Sequence, residues 1–287
     1  MYPDYKFDYP NMDTSFPFFM KLKRYHCVPL HRHDFLEFSL VVEGEGTETI
    51  NGTTHNMSPG TLTLLQPYQV HEFRALPGQS LLMYVLNFDL KLLDHSDMEE
   101  KLSSILLNMT EDAAPSYVEL TPQQMQDFIA LFEKMKKEYD HDFPWKNIVL
   151  RSQLMEALCY FDRVRRSKYP YDMQDMNAGN KKTIWQVIHY LHRNYLEPVT
   201  LTEVAGKFDY HPSYLSELMK KHLGQNFIHF IQELRIRHAC SLLLSTDMPI
   251  PEIAEESGFN SVPTFTRVFR RHKKMSPSQF RKSRKGK

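Results

Sequence analysis

Three histidines and a glutamate near the amino end have side chains that could bind a small polar molecule or a divalent metal ion. His31, His33 and Glu37 lie at even spacings within HRHDFLEFSLVVEG, and His71 follows after further strand-like segments. Side chains at even spacings on one strand point to the same face of a sheet. We therefore expect all four residues to share a site inside a β-domain.

The chemistry of imidazole and carboxylate leaves three interpretations of this cluster open. The side chains could hydrogen-bond the hydroxyl groups of a small effector. They could ligate iron, manganese, nickel or zinc. They could also form a structural cluster retained from a metal-binding relative. We favour the effector pocket and expect no cofactor; if a metal is present, the same four residues are the predicted ligands.

A repeat near the carboxyl end is the second pattern with chemical meaning. LTEVA at 201–205 recurs 49 residues later as IPEIA at 250–254, and the offset becomes 50 beyond the following turn. Each copy reads as a short helix, a turn at Asp209 or Gly258 that can take positive φ, and a second helix. The repeat predicts two helix-turn-helix motifs, whose second helices enter the DNA major groove.

The second helix of each copy has polar side chains on the face opposite its apolar residues. We predict DNA contacts from ten of them: Ser213, Ser216, Glu217, Lys220, Thr264, Thr266, Arg267, Arg270, Arg271 and Lys273. Arg267 is predicted to make a bidentate contact with guanine, and the later basic residues of its helix to contact phosphates. The alternative that one copy is only structural stays open, and the acidic Glu217 favours it slightly.

The elements that must position these residues follow from the remaining sequence. Between Phe35 and Phe88, short β-branched or aromatic runs alternate with turn signals such as Asn51-Gly52, which predicts a β-barrel or sandwich at about 20–90. Two amphipathic helices follow at about 91–166, the first opening with a capping box of Thr121 and Gln124. Their apolar stripes must pack on the barrel or on a second subunit, and we favour a homodimer contact for part of that surface.

The two halves of the chain are joined by a segment without periodicity. Residues 167–180, SKYPYDMQDMNAGN, contain Pro and Gly and form the predicted linker between a domain at 1–166 and a domain at 181–287. Within the second domain, Asn226 to Ser245 predicts one long helix that would hold the two DNA-reading helices about one DNA turn, ~34 Å, apart. The predicted class is α+β, with a β-barrel and helical hairpin followed by an all-α domain.

A net charge of zero conceals two oppositely charged halves. Residues 1–180 hold 17 Lys and Arg against 26 Asp and Glu, whereas residues 181–287 hold 18 against 9. The basic half should attract a polyanion such as DNA. No apolar run reaches the ~18 residues of a membrane-spanning helix, and the three cysteines form no CxxC pair. These features predict a cytoplasmic protein without a membrane partner, a disulfide framework or a thiolate zinc site.

The carboxyl-terminal motifs resemble those of a known family. RIRHACSLLLSTDMPIPEIAEESGF at 235–259 and FTRVFRRHKKMSPSQFR at 265–281 are similar to the DNA-binding domain of AraC/XylS bacterial transcription regulators, over residues 183–283. The resemblance implies two helix-turn-helix motifs joined by a central helix, binding to promoter DNA, and contact with RNA polymerase during activation. Met219 stands where the family usually has Phe, and Lys274 stands where it usually has Gly. At a residue with positive φ, lysine costs about 1 kcal/mol relative to glycine.

The amino-terminal motif HRHDFLEFSLVVEG resembles the first motif of the cupin barrel, in which three His and one Glu hold a divalent metal. The second cupin motif is degraded, because QPYQVH at 66–71 lacks the usual glycine. Together the patterns predict a ligand-responsive bacterial transcription factor, not an enzyme, that controls sugar or small-metabolite genes and takes a small effector such as a carbohydrate. The alternatives are a metal-binding cupin, sensor or enzyme, fused to a DNA-binding domain, and a DNA-binding protein without an effector.

Overall fold

The computed structural model describes residues 4–6, 9–12, 14–93, 96, 98–99, 102, 105–106, 115–170 and 184–285. By their contacts, the residues divide into one unit of Met1–Pro10 with Phe18–Gly179 and a second of Asn11–Pro17 with Asn180–Lys287. Most of the predicted linker, residues 171–180, lies outside the described residues. The predicted α+β class is confirmed, because strands fill the first unit and helices the second.

Two five-stranded sheets make up the β-part of the first unit. Their strands are β1 (Asp4–Lys6), β2 (Phe18–Tyr25), β3 (Cys27–His33), β4 (Leu36–Glu43), β5 (Gly46–Ile50), β6 (Thr53–Met57), β7 (Thr61–Leu65), β8 (His71–Ala75), β9 (Leu81–Phe88) and β10 (Tyr117–Glu119). One sheet has the order β1-β3-β8-β5-β6 and the other β10-β7-β4-β9-β2. Apart from the parallel β1 and β3, neighbouring strands are antiparallel. The predicted barrel is thus a two-sheet, cupin-like structure.

The interior between the sheets is packed by side chains from both. Val41 and Met83 of one sheet share an apolar cluster with Met57 and Phe73 of the other. The strand predicted at 80–88 to be buried on both faces is confirmed as β9, whose residues are all buried except Leu82. Because β9 is covered on both faces, its sequence is almost continuously apolar, whereas β4 alternates at its start, with Glu37 and Ser39 on the face opposite Phe38.

The hairpin between β5 and β6 confirms the Asn51-Gly52 signal. Ile50 pairs with Thr53, so the two residues form the whole loop, and their φ angles are 49° and 90°. A two-residue turn with positive φ at both positions matches the right-handed twist of the strands, and Asn followed by Gly takes that conformation at low cost. The turn sets the register that places Glu48 opposite His55.

Two long helices follow the strands, α1 (Pro122–Asp140) and α2 (Lys146–Lys168). The predicted capping box of Thr121 and Gln124 is present at the start of α1. The apolar stripes pack on the outer face of β4: the ring of Phe38 lies 5.4–6.3 Å from those of Phe128, Phe132 and Phe161. The sheet of the same chain therefore covers these stripes, and they are not available as the dimer surface that the sequence favoured.

The second unit contains the helices α3 (Ile184–Asn194), α4 (Leu201–Lys207), α5 (Pro212–Leu223), α6 (Phe227–Ser245), α7 (Ile250–Glu256), α8 (Val262–Lys273) and α9 (Pro277–Lys285). The pairs α4–α5 and α7–α8 are the two predicted helix-turn-helix copies. The long helix predicted between them is confirmed as α6, which Asn226 caps. At 1.5 Å per residue its 19 residues span about 28 Å.

Candidate effector cavity and DNA-binding helices

A cavity of about 230 Å³ opens between the two sheets of the first unit. Its walls come from β2, β3, β4, β8 and β9 and from the residues before β2. The lining residues are Tyr9, Pro10, Phe19, Lys21, Tyr25, Val28, His31, His33, Phe35, Glu37, Phe73, Val85 and Asn87. The cavity is thus aromatic on several sides and polar at one end, a composition typical of sites for small ligands.

The structure brings the four predicted site residues together, although not as the spacing suggested. His31 and His33 lie on β3, but the chain bends at Asp34 and Phe35, and Glu37 lies on β4 in the opposite sheet. The expectation that all three share one strand is therefore wrong. His31, His33 and Glu37 line the cavity, whereas His71 lies behind them, directly opposite His31 in the β3–β8 pairing.

Backbone carbonyl groups fix the orientation of each imidazole. His31 Nδ1 lies 2.9 Å from Pro29 O, His33 Nδ1 2.9 Å from Phe35 O, and His71 Nδ1 3.0 Å from Gln69 O. A carbonyl oxygen only accepts, so each Nδ1 carries the proton and donates it. In the neutral ring the lone pair then resides on Nε2, and one ligand nitrogen from each of the three rings lies within 4.8 Å of the others.

Glu37 faces the histidines from the opposite sheet. Its Oε2 lies 3.7 Å from His33 Nε2, and its side chain is only 14% exposed. Asn87 lies directly opposite Glu37 in the β4–β9 pairing, and its amide nitrogen donates to Glu37 Oε2 across 3.3 Å in the orientation that satisfies both groups. Burial, and then the Glu37 charge, raise the pKa of Tyr25 above its usual range, so its phenol stays protonated.

The sequence did not identify the other polar and aromatic residues of the cavity. Lys21 enters it from β2, with Nζ 5.3 Å and 5.5 Å from the ring centres of Phe19 and Tyr25. Phe19, Lys21 and Tyr25 are odd-numbered residues of β2 and so lie on the same face of the strand. This alternation was a usable signal, but it does not show which sheet the strand faces.

In the second unit, α5 and α8 present the predicted DNA contacts on their outer faces. The apolar residues beneath them are buried: Leu215 and Met219 under α5, and Phe265, Val268 and Phe269 under α8. Six of the ten predicted contacts are exposed, namely Ser213, Glu217, Lys220, Arg267, Arg270 and Arg271. The other four, Ser216, Thr264, Thr266 and Lys273, are partly exposed.

Contacts within the protein separate the basic residues of α8 into two groups. Arg271 Nη1 lies 3.4 Å from His229 Nε2, and Lys273 Nζ lies 5.9 Å from the ring centre of Phe280. Arg267 and Arg270 are exposed, and no contact to another described residue holds either guanidinium. The sequence analysis did not include Tyr214 of α5 among the predicted DNA contacts, although its side chain is 53% exposed, one position after Ser213.

The turns of the two copies have the backbone conformations that the sequence predicted. Asp209 has φ 48° and Gly258 has φ 76°. The helices α5 and α8 both end at a left-handed residue, which is Gly224 (φ 66°) in the first copy and Lys274 (φ 59°) in the second. Lys274 thus adopts the glycine-like conformation of its counterpart, and Met219 fills its site with 0% exposure.

Two histidines near the ends of α5 and α8 have surroundings that favour the neutral form. Burial, followed by the Lys221 charge, lowers the pKa of His222. Burial also lowers the pKa of His272, and the charges of Arg271 and Lys273 act in the same direction. These two histidines therefore add less positive charge to the ends of α5 and α8 than the neighbouring Lys and Arg side chains do.

Comparison with known proteins agrees with both halves of this architecture. Residues 19–154 match the AraC-like ligand binding domain and residues 204–283 match a helix-turn-helix domain. An uncharacterized HTH-type transcriptional regulator, YfiF of Bacillus subtilis, is 30% identical over 262 residues, covering 88% of this chain and 78% of its own. The HTH-type transcriptional activator RhaS of Mannheimia succiniciproducens is 26% identical, covering 88% and 89%. The solved C-terminal domain of AraT from Geobacillus stearothermophilus is 35% identical over 35% of this chain and 84% of its own, with TM-score 0.34.

A cavity-bearing β-domain followed by two helix-turn-helix motifs defines a ligand-responsive transcription regulator rather than an enzyme. The chain belongs to the AraC family of these regulators. No helix among the described residues is long and apolar enough to cross a membrane.

Proposed function

We propose that this regulator binds a small polyhydroxylated effector, of monosaccharide size, in the cavity of its first unit and in response changes its binding to promoter DNA in the cytoplasm. The observation that carries the proposal is the composition of the cavity. Buried imidazole and carboxylate groups at one end can bond hydroxyls, while Phe19, Tyr25 and Phe73 can cover the apolar face of a sugar ring. A volume of about 230 Å³ lies below the ~300 Å³ at which drug-sized sites begin.

The amino-terminal arm is the part of the cavity wall that we propose responds to the effector. Tyr9 and Pro10 line the cavity, so an effector bound there would pack against the segment that precedes β2. The effector shifts DNA binding only if it binds the two arrangements with different affinity, typically by about 1–3 kcal/mol.

The experiment is a thermal-shift panel of monosaccharides, sugar acids and polyols on the full chain, followed by DNA binding with and without each stabilising compound. Glu37→Gln should abolish the stabilisation, because it removes the carboxylate that accepts a ligand hydroxyl. Glu43→Gln is the matched control, because Glu43 ends the same strand but is exposed and pairs with Arg24 outside the cavity. A panel without any stabilising compound would contradict the effector proposal and leave DNA binding as the whole activity.

DNA recognition by both copies is the second part of the proposal. Arg267 and Arg270 are exposed on α8 and Lys220 on α5, so each reading helix offers cations to DNA. We infer that the copies occupy successive major grooves and that the regulator contacts RNA polymerase when it activates. Footprinting on a duplex selected by the full chain from random sequence should show two protected half-sites about 10 base pairs apart.

Homodimerisation remains part of the proposal, but on a different surface. The connection between α1 and α2 and the first turn of α2 expose three large apolar side chains: Phe143 at 41%, Trp145 at 76% and Ile148 at 62%. Exposed apolar residues grouped in this way mark an interaction surface, and a second copy of the chain is the occupant we propose. Sedimentation should show a dimer that Trp145→Ser and Ile148→Ser convert to monomer, whereas an unchanged sedimentation coefficient would rule this surface out.

A metal-responsive sensor is the second candidate, and the orientation of the histidines favours it. With three Nδ1 atoms bonded to carbonyls, each ring can offer Nε2 to an ion, which is the arrangement common to metal-binding histidines. Zn–N bonds of about 2.0–2.1 Å would draw the nitrogens roughly 1.5 Å closer together than the present limit of 4.8 Å. An ion held there would supply a positive charge that orients an effector hydroxyl.

Metal analysis of the purified chain and titration with Co²⁺ separate this candidate from the first. Stoichiometric metal and a visible Co²⁺ spectrum, both lost in His71→Gln, would support it. His55→Gln should retain them, because His55 is buried elsewhere and its Nε2 lies 3.0 Å from Glu48 Oε2. Sugar-dependent stabilisation without metal would favour the first candidate alone.

A further inference from the structure

One side chain of the central helix contacts both the segment that leads into the first helix-turn-helix motif and the turn of the second. Arg235 lies near the middle of α6, and its Nε donates to Tyr195 O at 2.7 Å. One terminal nitrogen, Nη2, donates to Glu197 O at 2.9 Å. Both carbonyls belong to the connection between α3 and α4, shortly before the Thr200 cap that begins the first motif.

The second motif also contacts the guanidinium of Arg235. Arg235 Cζ lies 6.0 Å from the ring centre of Phe259, the buried residue that follows the turn of the second motif. Phe259 in turn contacts Phe265 of α8, with ring centres 5.3 Å apart. Arg235 therefore connects the entry of the first motif to the base of the second reading helix through direct contacts.

Gly258 makes this close approach possible. A Cβ atom at this position would lie 2.8 Å from Leu196 O and 2.9 Å from Arg235 Nε. Both distances are shorter than a carbon atom tolerates, and the residue has φ 76°, which other residues adopt only with strain. The turn of the second motif is thus packed directly on the backbone that precedes the first motif and on the guanidinium that bonds it.

We propose that Arg235 is a positioning residue that fixes the separation of the two DNA-reading helices and so selects the spacing of the half-sites. The helix α6 joins the motifs at its two ends, whereas Arg235 ties the segment before the first motif to the turn of the second. Two points of attachment restrict rotation of one motif about the other, which a single helix does not. The planar fork of arginine suits two carbonyl groups and one aromatic ring at once, and lysine cannot reproduce it.

The test compares Arg235→Lys with the unaltered full chain on the duplex that the full chain selects from random sequence. One or two base pairs are inserted or deleted between the half-sites, and single half-sites are measured alongside. The unaltered chain should prefer its selected spacing by about tenfold or more, because both reading helices must meet their grooves together. In Arg235→Lys we expect that preference to fall below about threefold, with single half-site affinity within about twofold of the original.

Two further variants keep the test independent of folding. Gly258→Ala should weaken the spacing preference in the same way, because its Cβ pushes the turn away from Arg235. Arg237→Lys is the matched control, because Arg237 lies on the same helix and its ion pair with Glu233 stays within that helix. Circular dichroism and thermal unfolding confirm that each variant is folded.

This inference rests on the proposed reading of two grooves, and the outcomes separate the two ideas. If the unaltered chain shows no spacing preference, two-groove reading is wrong and Arg235 has no spacing to select. If that chain has the preference and folded Arg235→Lys retains it, only the role of Arg235 is wrong. An equal loss of affinity on every duplex, single half-sites included, would also overturn it, since that result indicates general destabilisation.

Discussion

The two units of this regulator place their polar groups in opposite environments. In the first unit, His31, His33 and Glu37 are largely buried, and carbonyl groups and Asn87 hold them in fixed orientations. In the second unit, Arg267 and Arg270 extend into solvent from a buried aromatic base. A buried, preorganised group discriminates between small ligands, whereas an exposed charge attracts a polyanion in a salt-dependent way. Recognition of the effector should thus depend on precise geometry, and recognition of DNA on many graded contacts.

The largest expected effect tests whether the units unfold separately. Phe38→Ala removes the ring that packs on Phe128, Phe132 and Phe161, and should lower the free energy of unfolding of the first unit by about 3–5 kcal/mol. Hydrogen exchange should accelerate in β4, α1 and α2, while α4–α8 keep their protection. Leu76→Ala, at an exposed position of the first unit, should change little; equal loss of protection in both units would show that they unfold together.

Arg267→Ala tests whether exposed charges in the second unit also carry base specificity. If Arg267 binds guanine, affinity should fall by about 1–3 kcal/mol on the preferred sequence and much less on a duplex changed at one position. Arg270→Ala should instead weaken binding to all sequences alike and lower the slope of log K against log salt by about 1. If the two variants lose the same amount on every duplex, neither residue reads a base.

Lys274→Gly compares the ends of the two reading helices. Lys274 has φ 59°, where its counterpart Gly224 has φ 66°. Glycine adopts this conformation without the cost of a side chain, so the variant should be more stable by about 1 kcal/mol in urea unfolding. Gly224→Ala should destabilise for the same reason. A loss of stability in Lys274→Gly would show that the lysine side chain contributes more than its backbone strain costs.

Acid stability provides the smallest expected effect. Burial lowers the pKa of His272 and of His222 from the usual 6.5, so the unfolded chain takes up protons more readily than the folded one as the pH falls below about 6.5. The stability that these two histidines contribute to the second unit should therefore be fully present above that pH and decline below it. His272→Gln should lessen the decline in Tm between pH 7.5 and 5.5, and His141→Gln, exposed in the first unit, should not.

The second unit could be predicted from the sequence in more detail than the first. Its two motifs, the turns at Asp209 and Gly258 and the helix beginning at Asn226 all depend on local spacing, and all were confirmed. In the first unit the strands and the Thr121 capping box were equally local, and the structure has them. The assignment of Glu37 to the strand of His33 failed, because even spacing does not show that the chain bends at Asp34 and crosses to the other sheet.

The amino-acid sequence by itself determined the order of the elements, the duplicated motif and the separation of charge between the two halves. Turn residues, caps and apolar periodicity act within about ten residues of the chain, so reading neighbours is enough to find them. Only the tertiary structure decided that carbonyl groups orient His31, His33 and His71, that the sheet covers the stripes of α1 and α2, and that Arg235 meets Gly258. The helix–sheet contacts and the contact of Arg235 with Gly258 join residues distant in sequence, which helix packing brings together. Each histidine bonds a carbonyl only two residues away, but that orientation depends on the path that the folded backbone takes.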